Sequence, residues 1–488
     1  MLSFIVFLPI AGALLIASLP RRREDLAKWV AAATALAVLV PALIVFAAYD
    51  RNPGGFQFID RHTWIDSDVA TFKVQYLLGA DGLSLAMLVL TAFLSLIAVL
   101  ISWRVDLRPK EYFVWLLVLE TSLLGVFTAL DFILFFIFWE IELVPMYFLI
   151  SIWGTGRKQY SAWKYVLFTF SGSAAILIGI LTLGFSAGTF DIIQLSQMAP
   201  LQDTVIPVAA IFTFLIIGFG IKLPVIPFHT WLPDAHSDAP TAASVILAGV
   251  LLKMGGYGIL RMCFSIMPEV ARDASVYLAA FAAVNIVYGA LVTLMQTDLK
   301  RLIAYSSVSH MGYVLLGASA LGTVGLTGAA MQMFTHGLIT GLLFATVGLI
   351  YDRTHTRQIG EMSGLAQRMP FLATIMVVAG LASLGLPSLA GFVSELTVFL
   401  GTYGHHEFLT VLGIIGILLS AAYILWAIQR VFWGEPAARW QSLTDAGTWW
   451  EKGSLAAMVL VILAVGIYPS VMMDMIETGV APIALRLA

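Results

Sequence analysis

The sequence predicts an all-α polytopic membrane protein with about fourteen transmembrane helices. Of its 488 residues, 60% are hydrophobic and 11% are charged, whereas soluble domains carry about 25% charged residues. The mean hydropathy is +0.94. Apolar stretches recur along the whole chain, and most reach the roughly 20 residues that a helix needs to cross the hydrocarbon core. Because no connection is long enough to form a soluble domain, we expect residues 1–488 to form one integral membrane domain.

The composition excludes several classes of function. A net charge of −3 argues against nucleic-acid binding. The single cysteine, Cys263, cannot form an internal disulfide, a cysteine-ligated iron–sulfur cluster or a structural zinc site within this chain. The sequence contains neither a GxxxxGK[ST] phosphate loop nor a GxGxxG dinucleotide motif. We therefore expect no cofactor in this chain and an energy source in an ion gradient or in partner subunits.

The distribution of basic residues predicts the orientation of the chain. The apolar segment Leu2–Leu19 precedes Arg21, Arg22 and Arg23, whereas a signal peptide carries its positive charge first. We therefore expect a retained first helix with its N-terminus outside. An even number of spans returns the C-terminus to the same side. Cytoplasmic loops are rich in Lys and Arg, and the residues assigned to them are Arg104, Arg108, Lys110, Arg157, Lys158, Lys164, Lys300, Arg301, Arg353, Arg357 and Arg368.

Two predicted spans are interrupted by proline and glycine. The segment Ile221–His229 contains two prolines beside Lys222, and Leu384–Phe392 contains a proline and two glycines before Glu395. Proline removes a helical hydrogen bond, and irregular backbone at membrane depth occurs only inside protein or beside water. Paired interrupted segments indicate an internally repeated transporter. We predict N-terminal flanking helices over 1–111, repeats over 112–263 and 276–433, and a C-terminal helix over 450–476.

Four ionisable side chains lie inside predicted spans. A charge at the bilayer centre costs from about 2.5 to more than 10 kcal/mol, so such groups face a bundle interior or a wet path. We expect them to conduct protons or ions. The alternatives are buried ion pairs that only fix helix packing, and lysines that extend to the interface. The four residues are Glu140, Lys222, Lys253 and Glu395.

Glu140 has a second carboxylate nearby at Glu142. Two positions along a helix correspond to a rotation of about 200°, so the two side chains cannot face the same interior path. We assign the central position to Glu140. Glu142 is expected to face another helix or a neighbouring chain.

Histidines supply further candidate proton carriers. His310 and His336 lie on consecutive spans, and a neutral imidazole can accept a proton on one nitrogen and donate from the other. Haem ligation and a satisfied core histidine are the alternatives. The polar segment Phe228–Pro240 contains His229, Asp234 and His236, which we predict to line a proton-entry vestibule. An ordered loop is the alternative, and the spacing matches no standard metal-ligand pattern.

Four motifs resemble the antiporter-like subunits of respiratory complex I. Glu395 in Gly391–Glu395 is similar to the M-type branch of this group, whereas the L-type and N-type branches and the Mrp cation/proton antiporters typically have lysine there. The resemblance covers essentially the whole chain. The four motifs are Phe138–Tyr147, Lys222–His236, Leu251–Gly255 and Ala304–Gly312.

The resemblance implies a fold and a function. The fold has two inverted five-helix repeats with one broken helix each. The chain would translocate protons in the membrane arm of NADH:quinone oxidoreductase, in a bacterial inner membrane, beside L-type and N-type subunits and lipids. FMN, iron–sulfur clusters and quinone would belong to partner subunits. Glu140 and Lys222 would form a midplane charge pair, Lys253, His310 and His336 would continue the path, and Glu395 would end it towards the outer side.

Three other interpretations remain at this point. One is an Mrp-type cation/proton antiporter subunit, although Glu395 argues against it. Another is the membrane arm of a related hydrogenase or ferredoxin-dependent complex. The third is a structural membrane scaffold whose charges only hold helices together.

Overall fold

The computed structural model describes residues 1–20, 23–52, 54–67, 72–198 and 204–488. Within these ranges, ten helices are long and apolar enough to cross a membrane, and four more are apolar but shorter. The prediction of a mostly helical polytopic membrane protein is therefore confirmed. Arg21 and Arg22, which contributed to the predicted orientation, lie outside the described residues.

The elements follow one another along the chain with short connections. Two π-helical turns, Leu247–Leu251 and Ile259–Phe264, flank α12 and join it to its neighbours. The helices and strands are α1 Leu2–Ser18, α2 Leu26–Ala48, β1 Gln57–Ser67, β2 Phe72–Ala80, α3 Gly82–Ile101, α4 Pro109–Thr128, α5 Phe132–Ile141, α6 Leu143–Trp153, α7 Lys158–Ala187, α8 Ile192–Gln197, α9 Val208–Lys222, α10 Trp231–Asp238, α11 Thr241–Ile246, α12 Leu252–Gly258, α13 Pro268–Leu294, α14 Leu299–Ser319, α15 Thr323–Thr354, α16 Pro370–Ser383, α17 Ala390–Thr402, α18 Glu407–Phe432, α19 Trp449–Ile467 and α20 Ser470–Leu487.

A β-hairpin departs from the all-α prediction. Strands β1 and β2 pair antiparallel in the long connection between α2 and α3. The carboxylate of Asp60 accepts a hydrogen bond from the Ser3 hydroxyl at 2.8 Å, and that of Asp131 accepts one from the backbone N–H of Gln75 at 3.0 Å. The hairpin is therefore attached to the ends of two helices. We call the side of the protein on which it lies the hairpin face, and the opposite side the basic face.

The first predicted break is present between α9 and α10. Helix α9 ends at Lys222, and α10 begins at Trp231. The backbone groups between them are satisfied by Asn285 of α13. Its Oδ1 accepts from the N–H of Ile226 at 2.7 Å, and its Nδ2 donates to the carbonyl of Pro224 at 3.2 Å. This buried amide replaces the helical hydrogen bonds that the prolines remove.

The second predicted break separates α16 from α17. Helix α16 ends at Ser383 and α17 begins at Ala390. Gly385 and Ser388 between them both have φ of +77°, a backbone conformation that glycine adopts without steric cost. The repeat boundaries stay a prediction, but each proposed half contains one interrupted helix.

The C-terminal segment is longer and more divided than predicted. The single helix expected over 450–476 consists of α19 and α20, which Tyr468 and Pro469 separate. Proline lacks the N–H that would continue α19. Helix α20 returns to the hairpin face, where Thr478 and the carbonyl of Met475 lie against Gly82 at the start of α3.

Asp131 connects the hairpin face to the start of α5. Its Oδ1 accepts the backbone N–H groups of Ile133 and Leu134 at 2.9 and 3.1 Å. Burial raises its pKa to about 6; the hydrogen bonds from Gln75, Leu134 and Ile133 oppose this shift, and nearby Asp191 adds to it. Asp191 itself pairs with Arg61 at 2.9 Å. The side chain is thus both a helix cap and a titratable group.

We predict that Asp131→Ala destabilises the chain by about 1–3 kcal/mol, because it removes two capping bonds and the bond to the hairpin. The folded pKa lies above the usual 3.8. The stabilisation from Asp131 is therefore complete below about pH 4 and is lost as the pH rises through about 6. Thermal unfolding of the purified protein in detergent should show a larger difference in Tm at about pH 5 than at about pH 8.

Asp131→Asn is the matched control, because its amide oxygen still accepts from the α5 backbone. Its loss of stability should be smaller than that of the alanine variant. Equal Tm values for wild type and Asp131→Ala at both pH values would contradict the capping role.

Candidate proton path

The buried ammonium of Lys222 lies at the end of α9, beside the first break. Its Nζ contacts Oε1 of Glu142, and the two side chains are 1% and 0% exposed. The other oxygen of Glu142 accepts from the Tyr165 hydroxyl at 2.5 Å. That hydroxyl lies 3.3 Å from the Lys222 Nζ. Both oxygens of the carboxylate are therefore engaged, and the ion pair is enclosed by protein.

The prediction that Glu140 pairs with Lys222 was wrong. Glu140 is half-buried, and its Oε1 has no hydrogen-bond partner. Glu142 lies at the junction where α5 ends and α6 begins, so it does not follow the regular rotation of a continuous helix. Pro145 in the first turn of α6 needs no N–H donor there and is compatible with this junction.

Two aromatic rings surround the Lys222 ammonium. The Nζ lies 5.6 Å from the ring centroid of Trp139 and 5.2 Å from that of Tyr165. The face of an aromatic ring attracts a cation, most strongly where water is excluded. The indole N–H of Trp139 donates to Ser173 at 3.0 Å, which fixes the ring. The pocket therefore stabilises a charged lysine as long as Glu142 stays in place.

Lys253 on α12 has different partners. Its Nζ donates to the carbonyl of Ala248 and lies 2.8 Å from Nδ1 of His336. Ala248 belongs to the π-helical turn before α12; such turns are frequent at functional sites. Within the described residues, no carboxylate lies within 4 Å of this fully buried ammonium. Lys253 is therefore held by neutral groups alone.

His336, His310 and Glu395 continue the row. The two imidazole centroids are 5.6 Å apart. His310 Nδ1 lies 3.3 Å from Oε1 of Glu395, and its Nε2 lies 3.3 Å from the Ser383 hydroxyl. The ammonium of Lys253 donates, so a neutral His336 accepts on Nδ1 and carries its hydrogen on Nε2. That nitrogen points away from Lys253 and has no hydrogen-bond partner.

A small cavity joins these three residues at the second break. It measures about 10 Å³ and is lined by His310, His336 and Glu395 together with Thr335 and Ser383. This is about the space that one water molecule needs. The second oxygen of Glu395 has no hydrogen-bond partner; it lies close to Gly385, where a Cβ atom would come within 2.6 Å. The cavity can therefore hold a water that connects a carboxylate with two imidazoles.

The row is interrupted between Lys222 and Lys253. In the described part of the chain no direct hydrogen bond joins their side chains. Helices α9 and α12 pack closely there. A Cβ atom at Gly255 would come within 2.5 Å of the carbonyl oxygen of Phe219, so this contact requires glycine. Proton transfer across this gap requires water or movement of the lysine side chains.

The three predicted vestibule residues have different direct contacts. Asp234 pairs with Lys164 at 2.7 Å and with Arg301 at 2.9 Å, which connects α10 with α7 and α14. His229 is buried beside the rings of Tyr288 and Tyr305. Their predicted role in proton entry stays a prediction.

His236 is fully buried and stacks on Phe344 with ring centroids 4.5 Å apart. Neither of its ring nitrogens has a hydrogen-bond partner. Lys300, which was interpreted mainly as a topology determinant, is also buried; it donates to the carbonyl of Ala239 at 2.7 Å. In the described residues, no group of three or more His, Cys, Asp or Glu side chains is arranged to hold a metal ion.

Some polar residues at the site were missed from the sequence. Tyr165 and Ser383 carry no charge, so the cost of burying a charge in the membrane could not identify them. Glu120 on α4 is 1% exposed and has no hydrogen-bond partner on either oxygen. Its position inside an apolar segment could have identified it from the sequence as a buried ionisable residue.

Comparison with known proteins identifies the family. Residues 129–420 match the family described as "NADH:quinone oxidoreductase/Mrp antiporter, TM". The chain belongs to this family. It is 40% identical to NADH-quinone oxidoreductase subunit M of Rhodobacter capsulatus, over 99% of this chain and 96% of that protein. It is also 40% identical to NAD(P)H-quinone oxidoreductase chain 4 2 of Thermosynechococcus vestitus, over 96% and 89% of the two chains.

Solved structures show the same fold in this family. A chain of respiratory complex I from Thermus thermophilus superposes with a TM-score of 0.89 and 30% identity over 100% of both chains. A chain of the Mrp complex from Dietzia superposes with a TM-score of 0.85 and 19% identity, over 100% of this chain and 99% of that one. The second similarity shows the fold alone. This chain is thus similar over its whole length to one chain of that complex.

We predict that Glu142→Gln impairs proton translocation more than Glu140→Gln does. The Glu142 variant leaves the Lys222 ammonium buried without its counter-ion, and breaking a buried pair costs about 3–5 kcal/mol. Within the described residues, half-buried Glu140 has no basic group within 4 Å, so its neutralisation removes less. Proton uptake into vesicles, normalised to the amount of assembled complex, measures both variants under the same conditions.

Both substitutions replace a carboxylate by an amide of the same shape, so each serves as the control for the other. A larger loss in Glu140→Gln than in Glu142→Gln would show that the pairing in this structure is not the one on which proton movement depends.

Proposed function

We propose that this chain is an M-type, proton-translocating subunit in the membrane arm of an NADH:quinone oxidoreductase. The observation that carries the proposal is the buried row that begins with the Glu142–Lys222 pair and ends at Glu395. Its members are buried inside the helix bundle, where charges are expensive unless they serve a function. The relatives named as subunit M and chain 4 supply the enzyme to which such a path would be coupled.

The mechanism is electrostatic. While Glu142 contacts Lys222, the ammonium form of the lysine is stabilised. If Glu142 moves away or is neutralised, the ammonium loses its counter-ion and releases a proton towards Lys253. Lys253, whose partners are neutral, passes the proton to Nδ1 of His336 as the hydrogen on Nε2 leaves for the cavity water. The proton then passes from the cavity water to His310 and Glu395.

The chain's orientation and partners complete the proposal. We assign the basic face to the cytoplasm of a bacterium and the hairpin face to the outside of its inner membrane, following the positive-inside rule. Both termini would then be outside, which agrees with the contact of the N-terminal amine with Asp60 at 3.4 Å. L-type and N-type subunits would be neighbours, and half-buried Glu140 is available to interact with one of them. FMN, iron–sulfur clusters and quinone would be bound by other subunits.

The proposed proton path is compatible with more than one electron donor. The relatives at 40% identity include both an NADH-quinone and an NAD(P)H-quinone oxidoreductase subunit. None of the residues of the proton path lies in a nucleotide-binding motif, so we assign the electron donor's site to another subunit. The same path would therefore operate in a complex that takes electrons from ferredoxin or another donor.

We predict that Lys222→Ala abolishes coupled turnover in the assembled complex. The variant removes the cation on which Glu142 acts, so quinone reduction driven by NADH and proton uptake into vesicles should fall together. Assembly is checked on native gels before activity is measured. Lys452→Ala is the control, because this lysine is exposed and lies outside the row.

Two results would contradict the proposal. Wild-type turnover and proton uptake in assembled Lys222→Ala would favour a structural scaffold. Sodium-dependent transport in vesicles without NADH, with no effect of quinone, would favour an Mrp-type antiporter.

A further inference from the structure

Polar side chains continue along the helix of Lys253 towards the hairpin face. Tyr257 and Arg261 follow Lys253 at intervals of four residues, so all three lie on one side of α12 and its π-helical extension. Eight residues correspond to about 12 Å along a helix axis. This second row would lead straight from the central lysine to the outer surface, without passing His310 or Glu395.

Arg261 closes this row at its outer end. Its Nη2 donates to both oxygens of Asp81 at 2.7 and 2.6 Å. The guanidinium lies 4.8 Å from the ring centroid of Phe56 and 5.4 Å from that of Tyr257. Its side chain is 5% exposed, and its Nε has no hydrogen-bond partner. Asp81 also caps α3 through the N–H of Ser84, so both of its carboxylate oxygens accept hydrogen bonds.

A cavity of about 170 Å³ reaches Arg261 from the hairpin face. Asp81, Ser265 and Arg486 also line it. A cavity needs roughly 10–15 Å³ to hold one water, so this one has room for several. Within the described residues, Arg486 has no carboxylate within 4 Å. The cavity therefore presents two guanidinium groups against one carboxylate that is already paired.

Tyr257 separates the cavity from Lys253. Its hydroxyl lies 3.1 Å from Ser84 Oγ and 3.2 Å from the carbonyl of Phe127, and its ring packs edge-on against Phe127 at 5.3 Å. These contacts hold the side chain across the row. The remaining route between the outer cavity and the central lysine thus contains one fixed tyrosine and one fixed arginine.

We infer that Arg261, held by Asp81 and backed by Tyr257, is a proton barrier that closes the direct route from Lys253 to the hairpin face. An arginine in a protein does not lose its proton, so it cannot relay one. A fixed positive charge in a narrow polar passage excludes protons and cations. Protons at Lys253 are then restricted to the lateral route through His336, His310 and Glu395. This inference rests on the proposed function, since it assumes that Lys253 carries protons.

The test removes the charges of the barrier and leaves its volume nearly unchanged. Complex carrying the double substitution Asp81→Asn and Arg261→Gln is reconstituted in vesicles with a fluorescent pH probe. The decay of an imposed pH gradient, without NADH, should be several-fold faster than in wild type. With NADH, quinone reduction should continue while the number of protons moved per NADH falls.

A third substitution shows where the leak runs. Adding Lys253→Met to the double variant should return the decay to the wild-type rate, because the leak passes through this lysine. Neutralising another buried ion pair, by Arg353→Gln with Glu451→Gln, is the matched control; these residues pair at 2.9 Å on the basic face, and no leak is expected. If the double variant fails to assemble, Arg261→Gln alone gives the same readout, because its amide can still donate to Asp81.

The outcomes separate the barrier from the proposed function. An assembled double variant with wild-type decay and wild-type stoichiometry overturns the barrier, and so does a leak that survives Lys253→Met. Full pumping by Lys253→Met alone would instead contradict the proposed function.

Discussion

Holding the Lys222 ammonium inside the membrane is energetically costly, and the elements around it are arranged to offset this cost. The lysine lies where α9 ends, at a break whose backbone is satisfied by Asn285. Glu142 is brought to it by the junction of α5 and α6, and two aromatic rings exclude water around the pair. A pair enclosed in this way is strong while intact and expensive to break. Removal of the Glu142 contact would therefore leave the Lys222 ammonium buried without a counter-ion.

The two ends of the row of polar residues differ from its middle. Carboxylates occupy both ends, at Glu142 and Glu395, whereas Lys253 between them has only neutral partners. Within the described residues, Lys253 is thus an ammonium of the row that has no carboxylate within 4 Å. The second break shapes the Glu395 end of the row, because it places Gly385 beside Glu395 and leaves space for a water. Each interrupted helix therefore lies at one end of the row.

The sequence predicted those features that have a large energetic signature. The length of the apolar segments predicted the membrane spans, and the prolines and glycines predicted both breaks. The charges inside apolar segments predicted Lys222, Lys253 and Glu395 as site residues. The choice between Glu140 and Glu142 failed because it depends on where one helix ends and the next begins, a matter of one residue. The β-hairpin was not predicted, because its strands lie in a connection and are shorter than a membrane-spanning helix. Contacts such as those between Arg261 and Asp81, 180 positions apart, require the tertiary structure.

A high-resolution electron cryomicroscopy map of the assembled complex in lipid, with side chains and ordered waters visible, would test the buried row most directly. We expect Glu142 to contact Lys222, waters to bridge Lys222 to Lys253, and a water to lie between His336 and Glu395. The Arg261–Tyr257 segment should contain no continuous chain of waters. A dry, apolar gap between the two lysines, or an unbroken water file from Lys253 to the hairpin face, would contradict these expectations.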